Sequence, residues 1–170
     1  MSNDATSNAG APCPSCGAVP AAGFADCQAM WDQLLAESFS NFAYARLHRA
    51  IVDAYSLQHP DPYCKSAKSY AAHLTGICCA VEHGGTPEVN AAMQRWLSTN
   101  PELDKPDVPV TRGRLTIASV IELRVPSEIT AALEVWFEDV WRAYEAQHGV
   151  TREWIQRLSA ADGGTGMTTA

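Results

Sequence analysis

The amino-acid sequence predicts an all-α protein, a compact bundle of about five to seven helices with an N-terminal zinc-knuckle-like loop. Apolar residues recur through most of the chain with the period of an amphipathic helix. Prolines and glycines interrupt that period at spacings that are typical of helix ends. Strand signals are weak, and the segment 108–117, VPVTRGRLTI, offers a short hairpin as the alternative.

Prolines, glycines and capping residues divide the first part of the chain into four predicted helices. Pro60 disfavours a helical conformation at the residue before it, and Gly84 follows a run with apolar residues at i, i+4, i+7 and i+11. Thr86 followed by Pro87 is typical of a helix start. The four predicted helices cover residues 26–38, 41–59, 66–83 and 86–98.

The second part of the chain contains a loop and then the broadest apolar stripe. Residues 100–114 show no period and are predicted to form the loop. Thr116 can cap a short helix over 116–123. A long helix is expected from Pro126 to Gly149, and a last short helix from Thr151. The stripe of the long helix consists of Ile129, Leu133, Trp136, Phe137, Val140, Trp141 and Tyr144.

Length and charge limit the classes of protein that fit this sequence. The 170 residues suit one domain, expected over 13–160 between disordered ends at 1–12 and 161–170. Twelve Lys and Arg against 19 Asp and Glu give a net charge of −7, which argues against nucleic-acid binding. No apolar run approaches the roughly 20 residues of a membrane span, and no secretion signal is recognisable. We therefore expect a cytoplasmic protein that binds neither nucleic acid nor a membrane.

The motif CPSCG, from Cys13 to Gly17, is the strongest local signal. Two thiolates at this spacing, with a glycine that lets the turn close, are typical of half of a tetrahedral zinc site. Cys27 follows at the start of a predicted helix and is the expected third ligand. A redox pair, or thiols without a role, are the alternatives, but a redox motif usually precedes a helix in a βαβ unit. The remaining cysteines are expected to pack as small apolar residues or to lie in a loop: Cys64, Cys78 and Cys79.

His59 is the candidate for the fourth zinc ligand. If the first two predicted helices are antiparallel neighbours, the end of the second lies level with the start of the first. His59 then lies near Cys27. The alternative is that its imidazole caps the helix C-terminus, where the helix dipole favours a cation.

Two further histidines are expected to face each other in the bundle interior. His48 lies twelve positions before Pro60 and His73 thirteen after it, so both should lie at the same level of neighbouring helices. Together with Asp53 and Tyr55 they form a candidate catalytic cluster, since paired imidazoles can bind a metal or exchange protons. The alternative is that each histidine makes an ordinary buried hydrogen bond.

Several motifs along the chain resemble a small bacterial family of uncharacterised function. They are CPSCG, HRAIVDAYSLQHP, KSYAAHLTGICCAVEHG, RLTIASV and VWRAYEAQHGVTREW, and together they extend from Cys13 to Trp154. The family typically has paired histidines near the end of the long helix, where this chain has Gln147 and His148. The resemblance implies a compact bacterial cytosolic protein with a cysteine knuckle, and it implies no particular reaction.

The sequence supports two main hypotheses of function. The first is a metal-dependent enzyme, a hydrolase or group transferase, whose zinc-supported bundle carries the histidine cluster. The second is a zinc-stabilised module that binds a small molecule or a protein partner, with a homodimer as one option. Nucleic-acid binding through the knuckle and redox chemistry at Cys13 and Cys16 are weaker alternatives.

Overall fold

Capping residues and prolines determine most of the helix ends. The computed structural model describes residues 10–162, and throughout this part of the chain the regular structure is helical, with no strand. The all-α prediction is therefore confirmed, and the hairpin alternative over 108–117 is wrong. The helices are α1 (Cys27–Ser40), α2 (Phe42–Ala45), α3 (His48–Gln58), α4 (Pro60–Tyr63), α5 (Ala67–Glu82), α6 (Pro87–Ser98), α7 (Pro126–Ala143) and α8 (His148–Asp162).

Three helix starts illustrate how local sequence sets these boundaries. The Asp26 carboxylate accepts the Ala29 N–H at 2.8 Å and caps α1. Ser66 and Ser69 bond reciprocally at the start of α5, as in a capping box. Thr86 caps α6 ahead of its proline. The helices predicted over 26–38, 66–83 and 86–98 are thus confirmed to within two residues at each end.

The continuous helix predicted over 41–59 is wrong, because the chain breaks between α2 and α3. The Leu47 N–H bonds to Tyr44 O at 2.8 Å, which closes α2 as a tight turn, and α3 starts afresh at His48. The break lets the His48 ring pack against Phe39, with the ring centroids 4.4 Å apart. Residues 41–59 thus suit a helix by their local preference, but the fold does not continue one through Arg46 and Leu47.

The end of the long helix is also predicted wrongly. α7 stops at Ala143, a 3-10 turn covers Glu145–Gln147, and Gly149 lies within α8 instead of ending a helix. The buried Tyr144 hydroxyl donates to Leu57 O at 2.6 Å, and this contact with α3 holds the chain where it changes direction. The helix predicted over 116–123 is reduced to a 3-10 turn at Ile117–Ser119.

α3 is the central helix and packs against α5 and α7, while α1 runs beside it from Ser38 at His48 to Trp31 at Tyr55. The α7 stripe is buried as predicted, and the Trp136 indole N–H donates to Gln58 Oε1 at 3.1 Å. The Gln58 amide in turn donates to Arg112 O and Leu115 O, at 3.0 and 2.7 Å. This buried amide therefore connects the end of α3 to the loop that passes beside the cysteines.

The predicted disordered ends fall largely outside the described residues, namely at 1–9 and 163–170. At the C-terminal boundary, positions 161 and 162 belong to α8 and not to a tail. None of the helices within residues 10–162 combines the length and the apolar character that crossing a membrane requires.

Candidate metal centre

The CPSCG segment forms a tight turn that aims two sulfurs at one point. The Gly17 N–H bonds to Cys13 O at 2.8 Å, and the Cys13 N–H bonds to Ala18 O at 2.9 Å. Gly17 has a φ of 76°, a left-handed conformation that favours glycine. Arg112 donates to Ser15 O at 2.9 Å and ties the turn to the loop before α7.

The turn meets the start of α1 and the end of α3. Cys27 is the first residue of α1, His59 caps α3, and both are buried, with 7 % exposure each. The ligand atoms of Cys13, Cys16, Cys27 and His59 all lie within 4.8 Å of one another. The four residues that the sequence predicts as ligands therefore lie together in the fold. They include His59, which was predicted from the relative positions of two antiparallel helices.

Three of the six separations within this group match those around a tetrahedral zinc ion. Zn–S and Zn–N bonds of about 2.3 and 2.0 Å place sulfurs about 3.8 Å apart and sulfur and nitrogen about 3.5 Å apart. The Cys16 and Cys27 sulfurs are 3.8 Å apart. His59 Nε2 is 3.5 Å from the Cys13 sulfur and 3.5 Å from the Cys27 sulfur. The group can therefore surround one zinc ion without a large rearrangement.

Backbone and aromatic contacts orient His59. Its Nδ1 lies 2.8 Å from Tyr55 O, so Nδ1–H donates to the carbonyl and the lone pair of Nε2 faces the sulfurs. The Tyr55 ring stacks on His59 at 4.0 Å and on Trp31 at 4.1 Å. This column of three rings fixes the imidazole plane. Tyr55, which the sequence assigned to a catalytic cluster, thus lies beside the metal ligands.

The protonation of the group favours thiolate character. A hydrogen bond between the Cys16 and Cys27 sulfurs lowers the pKa of Cys27 to about 4 and raises the pKa of Cys16. Burial opposes a charge on His59, but hydrogen bonds to Cys27 and to the Tyr55 backbone raise its pKa overall. Burial raises the pKa of the Tyr55 hydroxyl, which stays protonated 3.8 Å from the Cys27 sulfur and can donate to it. These shifts favour a thiolate at Cys27, which is the form that ligates a metal cation.

A second cluster of possible ligands is already satisfied by protein groups. Cys78, Glu82 and His83 lie close together at the end of α5. Arg152 donates hydrogen bonds to both oxygens of Glu82, at 2.6 and 3.0 Å, and the Trp141 indole N–H donates to the same carboxylate at 2.9 Å. These bonds connect α5 to α7 and α8. Because Arg152 already neutralises the carboxylate, the cluster is a poor metal site.

His48 pairs with α1. Its Nδ1 lies 2.7 Å from the Ser38 hydroxyl oxygen, and that hydroxyl lies 2.7 Å from Leu35 O. Because the single hydroxyl hydrogen is donated to Leu35, the imidazole must donate to the serine. This direction is opposite to that needed to activate a serine nucleophile.

His73 pairs with Asp53 and not with His48. The fully buried Asp53 carboxylate accepts His73 Nδ1 at 2.8 Å and Arg49 Nε at 2.8 and 3.1 Å. Arg49 also donates to Ala72 O at 3.0 Å. The expected facing pair is thus replaced by two separate pairs, and of the four predicted catalytic residues only Asp53 and His73 bond to each other. The sequence analysis missed Arg49, although its i,i+4 spacing from Asp53 was a signal.

Comparison with families of known sequence gives one match. Residues 11–145 match the model of a family described as a family of unknown function, DUF5946. The chain belongs to this family. No curated protein and no solved structure matches the chain.

The DUF5946 match agrees with the resemblance that the motifs indicated, which was also to an uncharacterised family. All four candidate ligands of this DUF5946 protein lie within the matched range, whereas all of α8 follows it. The family description names no reaction, so the function has to be argued from the chemistry of the site.

Proposed function

We propose that this protein binds one zinc ion through Cys13, Cys16, Cys27 and His59, and that the ion has a structural role. The agreement of three ligand separations with tetrahedral zinc geometry carries the proposal. The ion would join the N-terminal turn to α1 and α3, which otherwise meet only through side-chain packing and single hydrogen bonds.

The donor set selects the metal and its role. Thiolates with one imidazole suit zinc, whereas Mg²⁺ and Ca²⁺ prefer oxygen ligands. Four protein ligands complete a tetrahedron and leave no position for water or substrate, unlike catalytic sites with three protein ligands. A structural centre is therefore favoured over a catalytic one.

If the zinc ion is structural, the function of the protein is to bind a ligand or a partner, as the second hypothesis from the sequence states. A zinc-stabilised bundle would present its surface to a small molecule or a protein partner, including a second copy of this chain. Size-exclusion chromatography with light scattering tests the homodimer, since a monomeric mass at micromolar concentration would exclude it.

The first experiment is elemental mass spectrometry of the purified protein beside a Cys13→Ser/Cys16→Ser double variant. We expect about one zinc per wild-type chain and its loss from the double variant. Cys64→Ser is the matched control, because Cys64 is a buried thiol that does not belong to the ligand group. Its sulfur donates to Ser56 O at 3.6 Å, and a serine hydroxyl can still donate there. Wild-type protein without zinc, or a double variant that keeps it, would contradict the proposal.

A second candidate function rests on the His73–Asp53 pair. Asp53 holds Nδ1–H of His73, so Nε2 is left as a base, and the side chain is 16 % exposed. An imidazole oriented in this way can act as the general base of a hydrolase or group transferase.

Hydrolysis of p-nitrophenyl acetate and p-nitrophenyl phosphate by wild type and His73→Gln tests this second function. His83→Gln is the control, since His83 is an exposed histidine at the end of the same helix. Activity lost only in His73→Gln would support the enzyme, and equal rates in all three proteins would exclude it for these substrate classes.

A further inference from the structure

A cavity of about 330 Å³ lies at the N-terminal end of α3, whereas the three candidate cysteine ligands lie at its C-terminal end. It is bounded by the N-terminal part of α3, the second half of α5, the start of α6 and the middle of α7. Small side chains form its floor, and Phe137 adds an aromatic wall. The floor residues are Ala50, Gly76 and Ala80. Its volume is at the lower end of the range of small-molecule sites, roughly 300–1,000 Å³.

One cation at this cavity is held in place by the protein. Arg49 lines the cavity, and its guanidinium is fixed by both Asp53 oxygens and by Ala72 O. Gly76 lies directly against the Asp53 carboxylate, and a methyl group at this position would overlap it. The close packing of α5 on α3 thus keeps Asp53 rigid, and Asp53 keeps Arg49 rigid.

A second cation is still available to a ligand. Arg46 also lines the cavity, its side chain is 72 % exposed, and its nearest acidic partner is Glu134 at 3.9 Å. That distance is longer than a hydrogen bond, and an exposed pair of this kind contributes little. Arg46 can therefore turn toward an anion without losing a strong interaction.

The chemistry of the lining restricts the charge of the ligand. Arg46 in the turn before α3 and Arg49 in its first turn suit a carboxylate, because a planar guanidinium can donate two parallel hydrogen bonds. Glu134 lies on the same cavity wall and would repel a second negative charge. The apolar floor and Phe137 suit a short hydrocarbon or aromatic body.

We infer that the Arg46–Arg49 cavity binds a small organic monocarboxylate whose apolar body lies over Ala50, Ala80 and Phe137. This site is separate from the zinc centre and does not depend on it. Although the chain has a net charge of −7, the two arginines make the electrostatic potential locally positive, which favours the binding of a small anion.

Isothermal titration calorimetry with benzoate and hexanoate, beside benzamide and hexanamide, tests the inference. We expect saturable binding of at least one carboxylate and none of its neutral amide. Arg46→Gln should weaken that binding by about tenfold or more, as loss of a charged hydrogen bond predicts. Ala80→Leu should abolish it by filling the cavity.

Arg142→Gln is the matched control, since Arg142 is an exposed cation on α7 outside the cavity. Its affinity for the carboxylate should equal that of the wild type. Absence of saturable carboxylate binding, equal binding of the amides, or unchanged affinity in Arg46→Gln would each overturn the inference. Because Arg46 is exposed, its variant should remain folded even if Ala80→Leu does not.

Discussion

The two ends of α3 carry polar groups of opposite character. At the C-terminal end, His59 meets three cysteines that come from a loop and from α1. In the N-terminal half, Arg49 donates to Asp53, which lies at the middle of the helix and also accepts from His73. The first group gathers three thiols and an imidazole with no arginine or carboxylate among them, whereas the second contains both.

This difference indicates which group depends on a ligand. A buried carboxylate with an arginine and a histidine satisfies its own charge and hydrogen bonds. Three thiols and an imidazole at separations of 3.5 to 3.8 Å reach an equivalent state only around a cation. We therefore expect stability to depend on metal at one end of α3 and on side-chain pairing at the other.

Metal removal should have the largest effect. A chelator that strips zinc should lower the free energy of unfolding by at least about 5 kcal/mol, since structural zinc sites reach apparent binding energies of about 10–16 kcal/mol. Urea unfolding with added zinc and with EDTA measures this difference. The Cys13→Ser/Cys16→Ser variant should show no response to EDTA, and an equal response in both proteins would locate the metal elsewhere.

Breaking the charge cluster should cost nearly as much but leave the metal bound. Asp53→Ala removes the partner of Arg49 and His73, and we expect a loss of about 3–5 kcal/mol in urea unfolding. Zinc content should stay near one per chain. Asp32→Ala, an exposed acid on α1, should change stability by less than about 0.5 kcal/mol. Zinc loss in Asp53→Ala would show that the two ends are coupled.

Removing the Tyr55 hydroxyl should have a smaller effect that is confined to the metal. Tyr55→Phe keeps the ring stack with Trp31 and His59 but removes the hydroxyl 3.8 Å from the Cys27 sulfur. We expect zinc affinity to fall by about tenfold, as is usual for groups that support a metal ligand. Competition with a chromophoric chelator measures the affinity, and Tyr70→Phe is the control, because the Tyr70 hydroxyl donates to Asp107 O and not to a candidate ligand. Equal affinities in wild type and Tyr55→Phe would show that the hydroxyl does not act on the site.

The smallest effect is expected at Glu82, the last residue of α5. Hydrogen bonds from Arg152 lower the pKa of Glu82 from 4.5 to about 2, so its ionised form favours the folded state. That contribution is complete above pH 4.5 and is lost as pH falls toward 2. The difference in urea midpoint between wild type and Glu82→Gln should therefore be constant from pH 7 to 5 and shrink below pH 4.5.

Metal release in acid does not disturb this comparison, because it affects both proteins equally and cancels in the difference. A difference that stays constant down to pH 3 would show that the Arg152 pair does not stabilise the fold.

Local signals account for the elements that were predicted correctly. Thr86 before Pro87 and the Ser66 cap set helix starts through bonds within one turn, so sequence neighbours are sufficient to locate them. The ligand group was also predictable, since cysteine spacing supplied three members and antiparallel helix geometry supplied His59. The failures lie where distant residues compete with local preference. His48 bonds to Ser38 instead of facing His73, and Tyr144 bonds to Leu57 where a continuous helix was expected.

The sequence by itself determined the all-α class, most helix boundaries and the composition of the thiol and imidazole group. These depend on residue type and short spacing, which remain the same whatever the tertiary arrangement. Only the tertiary structure decided the break before α3, the pairing of Asp53 with Arg49 and His73, and the cavity above Gly76. Each of these results from side chains on different helices competing for the same space and the same hydrogen bonds, and one-dimensional spacing does not specify that competition.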